Sequence, residues 1–206
     1  MPPESNKSVV IFDVGNVLFD WNPRFLYERL IDDDRALDAF LRDVATKEWH
    51  FQHDAGRPFA ETSVELAAAY PQHKDLIAAW GPRFIEQLGD MLPGMRDLVE
   101  QLDARGVPLY AITNFSGEFW PPFRDREADI FDRFRDIVVS GDELLTKPDP
   151  AIYHLALDRF GVAANEAVFI DDRADNVAAA NAVGIHGLLF EDAATLRTDL
   201  TRFGLL

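Results

Sequence analysis

The feature that most constrains this fold is an uninterrupted apolar run, residues 8–12, which ends at Asp13. A short run of β-branched and aromatic residues without polar alternation is typical of a strand that is buried on both faces, as in a parallel sheet. Segments long enough for helices separate similar runs further along the chain, so we predict an α/β fold, a Rossmann-like parallel sheet with helices on both faces. The other predicted strands are residues 107–113, 136–140, 167–170 and 186–190.

The first predicted strand is followed by a long segment with a different pattern. Residues 19–90 contain several amphipathic stretches with helical spacing and no comparable strand, whereas helix and strand alternate after Leu92-Pro93-Gly94. A chain of 206 residues accommodates one α/β core with a substantial insertion. We therefore predict a core domain, residues 1–18 and 91–206, and an inserted helical cap, residues 19–90.

Charge and composition exclude several classes of protein. The chain has 20 basic and 36 acidic side chains and a formal net charge of −16, so nucleic acid and anionic membrane surfaces are not expected partners. It has no cysteine, which excludes thiolate chemistry and disulfides. Residues 1–10 lack the pattern of a signal peptide, and no apolar stretch approaches the ~20 residues of a membrane span. We expect a cytoplasmic protein, and the oligomeric state stays open.

Polar side chains follow four successive predicted strands. The carboxyl ends of parallel strands meet at one edge of a sheet, where ligands of open α/β sheets bind. Carboxylates gathered there would repel one another unless a cation lay between them, and a hard cation such as Mg²⁺ takes oxygen ligands. The side chains concerned are Asp13, Thr113 with Asn114, Lys147, and Asp171 with Asp172.

The same group of residues suits phosphoryl transfer. Lys147 would keep an anionic nucleophile ionised and neutralise a bound phosphoryl group. The Thr113 hydroxyl and the backbone amides near Asn114 would donate hydrogen bonds to that group. Positioning and charge neutralisation supply most of the catalysis in such reactions. The expected nucleophile is an Asp carboxylate, which would form a transient aspartyl phosphate.

Four segments in this order resemble the motifs of the haloacid dehalogenase superfamily: residues 12–18, 112–114, 147–153 and 169–176. The resemblance covers essentially the whole chain. Phe119-Trp120-Pro121 and the first motif are most similar to bacterial phosphatases that act on glucose 1-phosphate. The phosphatase domains of soluble epoxide hydrolases are also similar. The resemblance implies hydrolysis of a small phosphorylated metabolite, such as a sugar phosphate, with Mg²⁺.

The resemblance also implies the metal ligands. Asp13 would be both nucleophile and ligand, and the carbonyl of Gly15 would be a second, backbone ligand. Asp172 would bind the metal directly. Asp171 would be either a ligand or a neighbour that acts through water.

On the substrate side, the resemblance assigns the phosphoryl oxygens to Thr113 and Asn114. Lys147 would bridge the nucleophile and the phosphate. Asn176, one helical turn beyond the last motif, would orient Lys147.

The sequence departs from the superfamily pattern at Gly15, where related phosphatases generally carry a second Asp as general acid and base. Gly15 has no side chain to transfer a proton, so another group or a water must do so, and Asp20 or His53 are candidates. Trp49 and His53 belong to an aromatic and histidine-rich segment that we interpret as a sugar-binding surface of the cap.

Two other functions remain open at this stage. The same Asp13 attack on carbon would make the chain a metal-independent 2-haloacid dehalogenase, although such a reaction gains nothing from Asp171 and Asp172. Gly15 instead favours a weakly active or non-catalytic binding protein.

Overall fold

A computed structural model describes residues 7–206 of the chain. The first six residues of the predicted core segment 1–18, and most of segment 1–10, lie outside the described residues. The strands are β1 (Val9–Phe12), β2 (Phe19–Trp21), β3 (Leu88–Met91), β4 (Leu109–Thr113), β5 (Asp136–Val139), β6 (Ala167–Asp171) and β7 (His186–Leu189).

Twelve α-helices lie within residues 7–206. They are α1 (Arg24–Tyr27), α2 (Asp34–Asp43), α3 (Lys47–Asp54), α4 (Phe59–Ala69), α5 (Lys74–Ala79), α6 (Met95–Ala104), α7 (Trp120–Arg126), α8 (Ala128–Phe131), α9 (Ser140–Glu143), α10 (Pro150–Phe160), α11 (Ala174–Ala182) and α12 (Ala193–Arg202). Short 3₁₀ helices cover Pro71–His73, Phe84–Gln87 and Ala164–Glu166.

The main sheet has five parallel strands in the order β5-β4-β1-β6-β7. β1 lies at its centre, and all four of its residues are buried. Val10 and Phe12 pack in one hydrophobic cluster, whereas Val9 and Ile11 pack in a second cluster. Because successive side chains of a strand point to opposite faces, helices cover both faces of the sheet. The predicted α/β fold with a Rossmann-like parallel sheet is confirmed.

The long segment after β1 is not helical throughout, so the prediction for residues 19–90 is wrong at both ends. There β2 and β3 pair antiparallel as a separate two-stranded sheet. We call the segment between these two strands the insertion; it contains α1 to α5. Its buried side chains, among them Tyr27 and Phe40, belong to the same hydrophobic cluster as Val10 and Phe12 of the central strand. The division into a core (1–18 and 91–206) and a cap (19–90) stays a prediction.

The insertion lies very close to the core just after α3. Gly56 has a φ of +90°, and a Cβ atom at that position would lie 2.3 Å from Leu144 Cδ2 and 2.9 Å from the Gly141 carbonyl oxygen. Only a residue without a side chain permits this contact. The end of α3 is therefore packed directly against α9 of the core. None of the helices within residues 7–206 combines the length and the apolar character needed to cross a bilayer.

Candidate active site

The carboxyl ends of β1, β4 and β6 bring the predicted polar residues together. Asp13 follows β1 directly, and its backbone N–H donates to the Ile170 carbonyl oxygen at 2.8 Å, which continues the ladder between β1 and β6. Thr113 is the last residue of β4 and is buried. Asp171 is the last residue of β6. This edge of the sheet is the expected ligand-binding edge of an open α/β fold.

Lys147 is the centre of this arrangement. Its Nζ lies 2.9 Å from Asp13 Oδ1 and 2.7 Å from Asp171 Oδ2, and its side chain has no exposed surface. Burial disfavours its charge, but the two carboxylates outweigh that effect and raise the pKa of Lys147. The ammonium therefore stays charged beside the predicted nucleophile, as the sequence led us to expect.

The Asn114 side chain holds Lys147 in place. Its Nδ2 donates to the Lys147 carbonyl oxygen at 2.9 Å, and its Oδ1 accepts from the Lys147 backbone N–H at 2.8 Å. Both polar atoms of the amide group are therefore engaged with protein backbone. The side chain therefore positions Lys147, and the contact of Asn114 with the phosphoryl oxygens stays a prediction.

Asp171 has partners on both carboxylate oxygens. Its Oδ1 accepts from the Arg173 backbone N–H at 2.9 Å, and its Oδ2 accepts from Lys147 Nζ. Asn176 Nδ2 lies 3.0 Å and 3.1 Å from the two oxygens. Asn176 thus acts on Lys147 only through Asp171. The Tyr153 hydroxyl holds Asn176 in place by donating to the backbone carbonyl oxygen of Asn176 at 2.9 Å.

Three carboxylates of this edge have a geometry suited to a cation. Asp13, Asp171 and Asp172 each offer an oxygen atom, and these three atoms lie within 4.8 Å of one another. When all three are ionised, they and Lys147 together carry two uncompensated negative charges, which a divalent ion would balance. Asp172 is exposed, and within residues 7–206 its carboxylate forms no ion pair. Gly15, predicted to add a carbonyl ligand, lies in the turn two residues after Asp13.

The protonation of these carboxyl groups reflects their surroundings. Burial raises the pKa of Asp13 to about 7, although Lys147 opposes this and the nearby Asp171 charge adds to it. Desolvation and then the Asp171 charge raise the pKa of Asp172. The two pKa values are raised for the same reason, because negative charges lie close together at an edge of the sheet that is partly shielded from solvent. A bound cation would favour the charged forms of both.

Trp49 and His53, predicted to bind sugar, lie inside the packing of the insertion. Trp49 Nε1 donates to the Thr62 carbonyl oxygen at 3.3 Å, and His53 Nε2 lies 2.7 Å from Thr62 Oγ1. His53 has no exposed surface, and burial lowers its pKa to about 4. Both side chains are buried, and their role in binding a sugar stays a prediction.

Two residues that the sequence interpretation did not single out reach the site. Asp54, the last residue of α3, is buried, and the negative charge of Asp13 and the positive charge of Lys147 both act on it. Ser140 is fully buried; its Oγ donates to the Asp54 carbonyl oxygen at 2.6 Å and accepts from the Phe115 backbone N–H at 2.9 Å. The nearest residue in the sequence that reports these contacts is Gly56, which lies very close to Gly141 and Leu144.

A cavity of about 460 Å³ lies beside this edge. Its walls come from the turn after β1, which contributes Asn16, and from the insertion, which contributes His50 and Trp80. Trp21 also lines it and stacks on His50, with ring centroids 4.8 Å apart. Asp13 itself is not in the lining, but His50 lies 3.5 Å from Asp54. The cavity therefore adjoins the insertion side of the site.

Comparison with known proteins gives one family and similar relatives. Residues 7–184 match the family described as haloacid dehalogenase-like hydrolase. The chain is 30% identical to the sesquiterpene phosphatase astK of Aspergillus oryzae over 89% of each chain. It is 26% identical to a phosphorylated carbohydrates phosphatase of Thermotoga maritima over 85% of this chain and 81% of that protein.

Among solved structures, a HAD family enzyme from Bacteroides thetaiotaomicron in a magnesium complex has the same fold. It superposes with a TM-score of 0.72 at 21% identity, over 93% of this chain and 98% of that one.

Proposed function

The chain belongs to the haloacid dehalogenase-like hydrolases, and on this premise we propose that it is a Mg²⁺-dependent phosphatase of small phosphorylated metabolites. The observation that carries the proposal is the shared ammonium of Lys147, 2.9 Å from Asp13 and 2.7 Å from Asp171, beside an acidic cluster. The two relatives named above are both phosphatases, of a sesquiterpene and of carbohydrates.

The residues present fit a hard divalent cation. Asp13 Oδ1 is engaged by Lys147 and by the Val14 backbone N–H, so Oδ2 is the oxygen left for a metal. Asp172 offers a carboxylate without an ion pair in the described chain. Asp171 has partners on both oxygens, which favours contact through water. When bound, Mg²⁺ would neutralise negative charge on the phosphoryl oxygens.

In this proposal Asp13 attacks phosphorus. Lys147 keeps the Asp13 carboxylate oriented through Oδ1 and lowers the repulsion between this carboxylate and the phosphate dianion. Asn114 prevents the lysine backbone from moving, and Asp171 fixes its ammonium. Thr113, at the end of β4, is the remaining side chain proposed to donate to a phosphoryl oxygen. The product of the first step is an aspartyl phosphate on Asp13.

We place the leaving group of the substrate in the cavity beside the insertion. Trp21, His50 and Trp80 provide aromatic walls, which suit an apolar group or the face of a sugar ring. Burial lowers the pKa of His50 to about 3, so this ring is neutral at physiological pH and does not add charge. Aromatic contact from these residues replaces the surface that the sequence placed at Trp49 and His53.

The proposal is tested with purified protein, p-nitrophenyl phosphate and a panel of sugar phosphates, each with Mg²⁺ or with EDTA. We expect phosphate release that requires the metal and disappears in Asp13→Asn. A parallel assay measures halide release from 2-chloropropionate. Halide release that EDTA does not affect would show that the protein is a dehalogenase and not a phosphatase. Inactivity in every assay would favour a binding protein.

A further inference from the structure

The hydrolysis of a phosphate ester needs a group that protonates the leaving oxygen and later accepts a proton from water. Gly15, two residues after Asp13, has no side chain for this. Lys147 and Asp171 are committed to their ion pair. Asn16, the next residue of the turn, uses its Oδ1 to accept from the Trp21 backbone N–H at 3.1 Å. The core therefore leaves this role unassigned.

Asp54 comes from the insertion, at the end of α3, and lies near Asp13. The Asp54 side chain is 9% exposed and that of Asp13 is 11% exposed, so each retains a small accessible surface. The charge of Asp13 acts directly on Asp54, and so does that of Lys147. The two carboxyl groups are thus brought close together by different parts of the chain, Asp13 by the sheet and Asp54 by the insertion.

The surroundings of Asp54 favour its protonated form. Its Oδ1 is buried without a hydrogen-bond partner among residues 7–206, and its Oδ2 lies 3.5 Å from Nε2 of the neutral His50. An ionised carboxylate without a cationic partner is unfavourable in such a place. Burial first, and then the charge of Asp13, raise the pKa of Asp54 well above its usual range, against the opposing effect of Lys147.

The backbone that carries Asp54 is fixed to the core. Ser140 Oγ donates to the Asp54 carbonyl oxygen at 2.6 Å and also accepts from Phe115, in the loop after β4. Two residues beyond Asp54, the tight contact of Gly56 with Gly141 and Leu144 holds the chain against α9. A general acid needs a rigid support of this kind to stay in position.

We propose that Asp54 is the general acid and base of this site, which rests on the phosphatase function proposed above. An Asp13 oxygen attacks phosphorus, the bond from phosphorus to the leaving oxygen breaks, and the Asp54 proton moves to that oxygen, which departs as an alcohol. A water oxygen then attacks phosphorus while Asp54 accepts its proton. The bond from phosphorus to Asp13 breaks, and phosphate leaves with Asp13 ionised and Asp54 protonated again.

The leaving group distinguishes this role from a structural one. An alkyl phosphate needs a proton on its departing oxygen, whereas p-nitrophenolate leaves without one. In Asp54→Asn we expect kcat for an alkyl phosphate to fall about 10²-fold to 10⁴-fold. With p-nitrophenyl phosphate the first step survives and the second slows, so about one equivalent of p-nitrophenolate appears in a burst before slow turnover. Asp54→Ser serves as a second variant if the amide prevents folding.

Asp103→Asn is the matched control, since it makes the same change at a partly buried carboxyl of α6, outside the site. We expect it to retain wild-type kcat with both substrates. A gain-of-function variant adds a positive test: a Cβ at Gly15 would meet only Trp21 Cβ, at 4.0 Å. Asp54→Asn with Gly15→Asp is expected to recover activity on the alkyl phosphate.

The two proposals fail in different ways. If the wild-type protein releases no phosphate from any ester with Mg²⁺, the phosphatase function fails and the role of Asp54 with it. If the wild type is active and folded Asp54→Asn keeps its kcat for alkyl phosphates within about twofold, only the role of Asp54 is overturned. An equal loss with both substrates and no burst would likewise reduce Asp54 to a structural residue.

Discussion

Lys147 and Asp171 form an ion pair from which solvent is excluded: Nζ lies 2.7 Å from Oδ2, and neither side chain has exposed surface. The same ammonium lies 2.9 Å from Asp13. One positive charge therefore stabilises two buried carboxylates, and it also orients Asp13, the predicted nucleophile. Stability and activity consequently depend on the same few atoms. A substitution at one of these residues is therefore expected to change both properties.

Removal of the ammonium is expected to destabilise the fold and abolish activity. In Lys147→Met, Asp13 and Asp171 lose their common partner, and breaking a buried pair in this way costs about 3–5 kcal/mol. Urea unfolding at pH 8 measures the change, and phosphate release measures the activity. The exposed Lys74 gives the control Lys74→Met, which is expected to change neither. A Lys147→Met protein with wild-type stability would contradict this interpretation of the pair.

The contribution of Asp13 to the stability of the metal-free protein is expected to fall as pH rises from about 4 to about 7. Folding raises the pKa of Asp13 from 3.8 to about 7, so the folded state binds more protons than the unfolded state in this range. Asp54 and Asp172, whose pKa values are also raised, act in the same direction. His50 and His53, whose pKa values burial lowers to about 3 and about 4, act in the opposite direction, so the effect of Asp13 is the difference between the wild type and Asp13→Asn. Melting temperatures between pH 4 and pH 8 in EDTA measure the effect.

Mg²⁺ is expected to restore much of this lost stability at pH 8, because it binds the ionised carboxylates of the folded state. Asp13→Asn, which cannot ionise at this position, provides the comparison. Between pH 4 and pH 7 the melting temperature of the metal-free wild type is expected to fall relative to that of Asp13→Asn, and a rise relative to that variant would have the wrong sign.

Loss of the Asn176 amide is expected to act through Asp171. In Asn176→Ala both Asp171 oxygens lose a donor, and the lysine pair becomes less well oriented. We expect kcat to fall about 10-fold to 100-fold, the usual effect of losing a partner of this kind. Asn181→Ala removes an exposed hydrogen bond to the Gly187 N–H and serves as the control. Equal kcat values for the two variants would show that Asn176 has no positioning role.

Gly56 tests whether close contact between the insertion and the core supports the site. Gly56→Ala adds an atom only 2.3 Å from Leu144 Cδ2, at a φ of +90°. Gly106 has a similar φ of +74° with nothing within 4 Å, so Gly106→Ala isolates the backbone cost, roughly 1–2 kcal/mol. We expect Gly56→Ala to be the less stable variant and the only one with reduced kcat. Comparison of thermal unfolding and steady-state kinetics decides this.

The sheet and its catalytic edge were predictable because their signals are local. The run before Asp13 is apolar at every position, so it fits only a strand buried on both faces, and its end fixes where Asp13 lies. The limits of the helices Met95–Ala104 and Pro150–Phe160 are also local, because Gly94 precedes the first, Gly106 follows it, Pro150 begins the second and Gly161 ends it.

The insertion side of the site was not predictable from local patterns. The position of Asp54 depends on the docking of α3 against α9, and no spacing in the sequence reports that contact. The hydrogen bonds between the Asn114 side chain and the Lys147 backbone join residues 33 positions apart. No local pattern in the sequence predicts them. Trp49 and His53 form hydrogen bonds with Thr62 inside the insertion. In a sequence, aromatic and histidine residues that pack inside a protein form the same pattern as those that bind a ligand.

The central claim is that Asp13 attacks phosphorus, and rapid acid quenching of the wild-type protein during turnover of p-nitrophenyl phosphate with Mg²⁺ tests it most directly. Mass spectrometry of the peptide that contains Asp13 should show one added phosphoryl group, absent from Asp13→Asn and from samples with EDTA. Continued phosphate release by Asp13→Asn, or turnover of wild-type protein in which Asp13 is never modified, would contradict the claim.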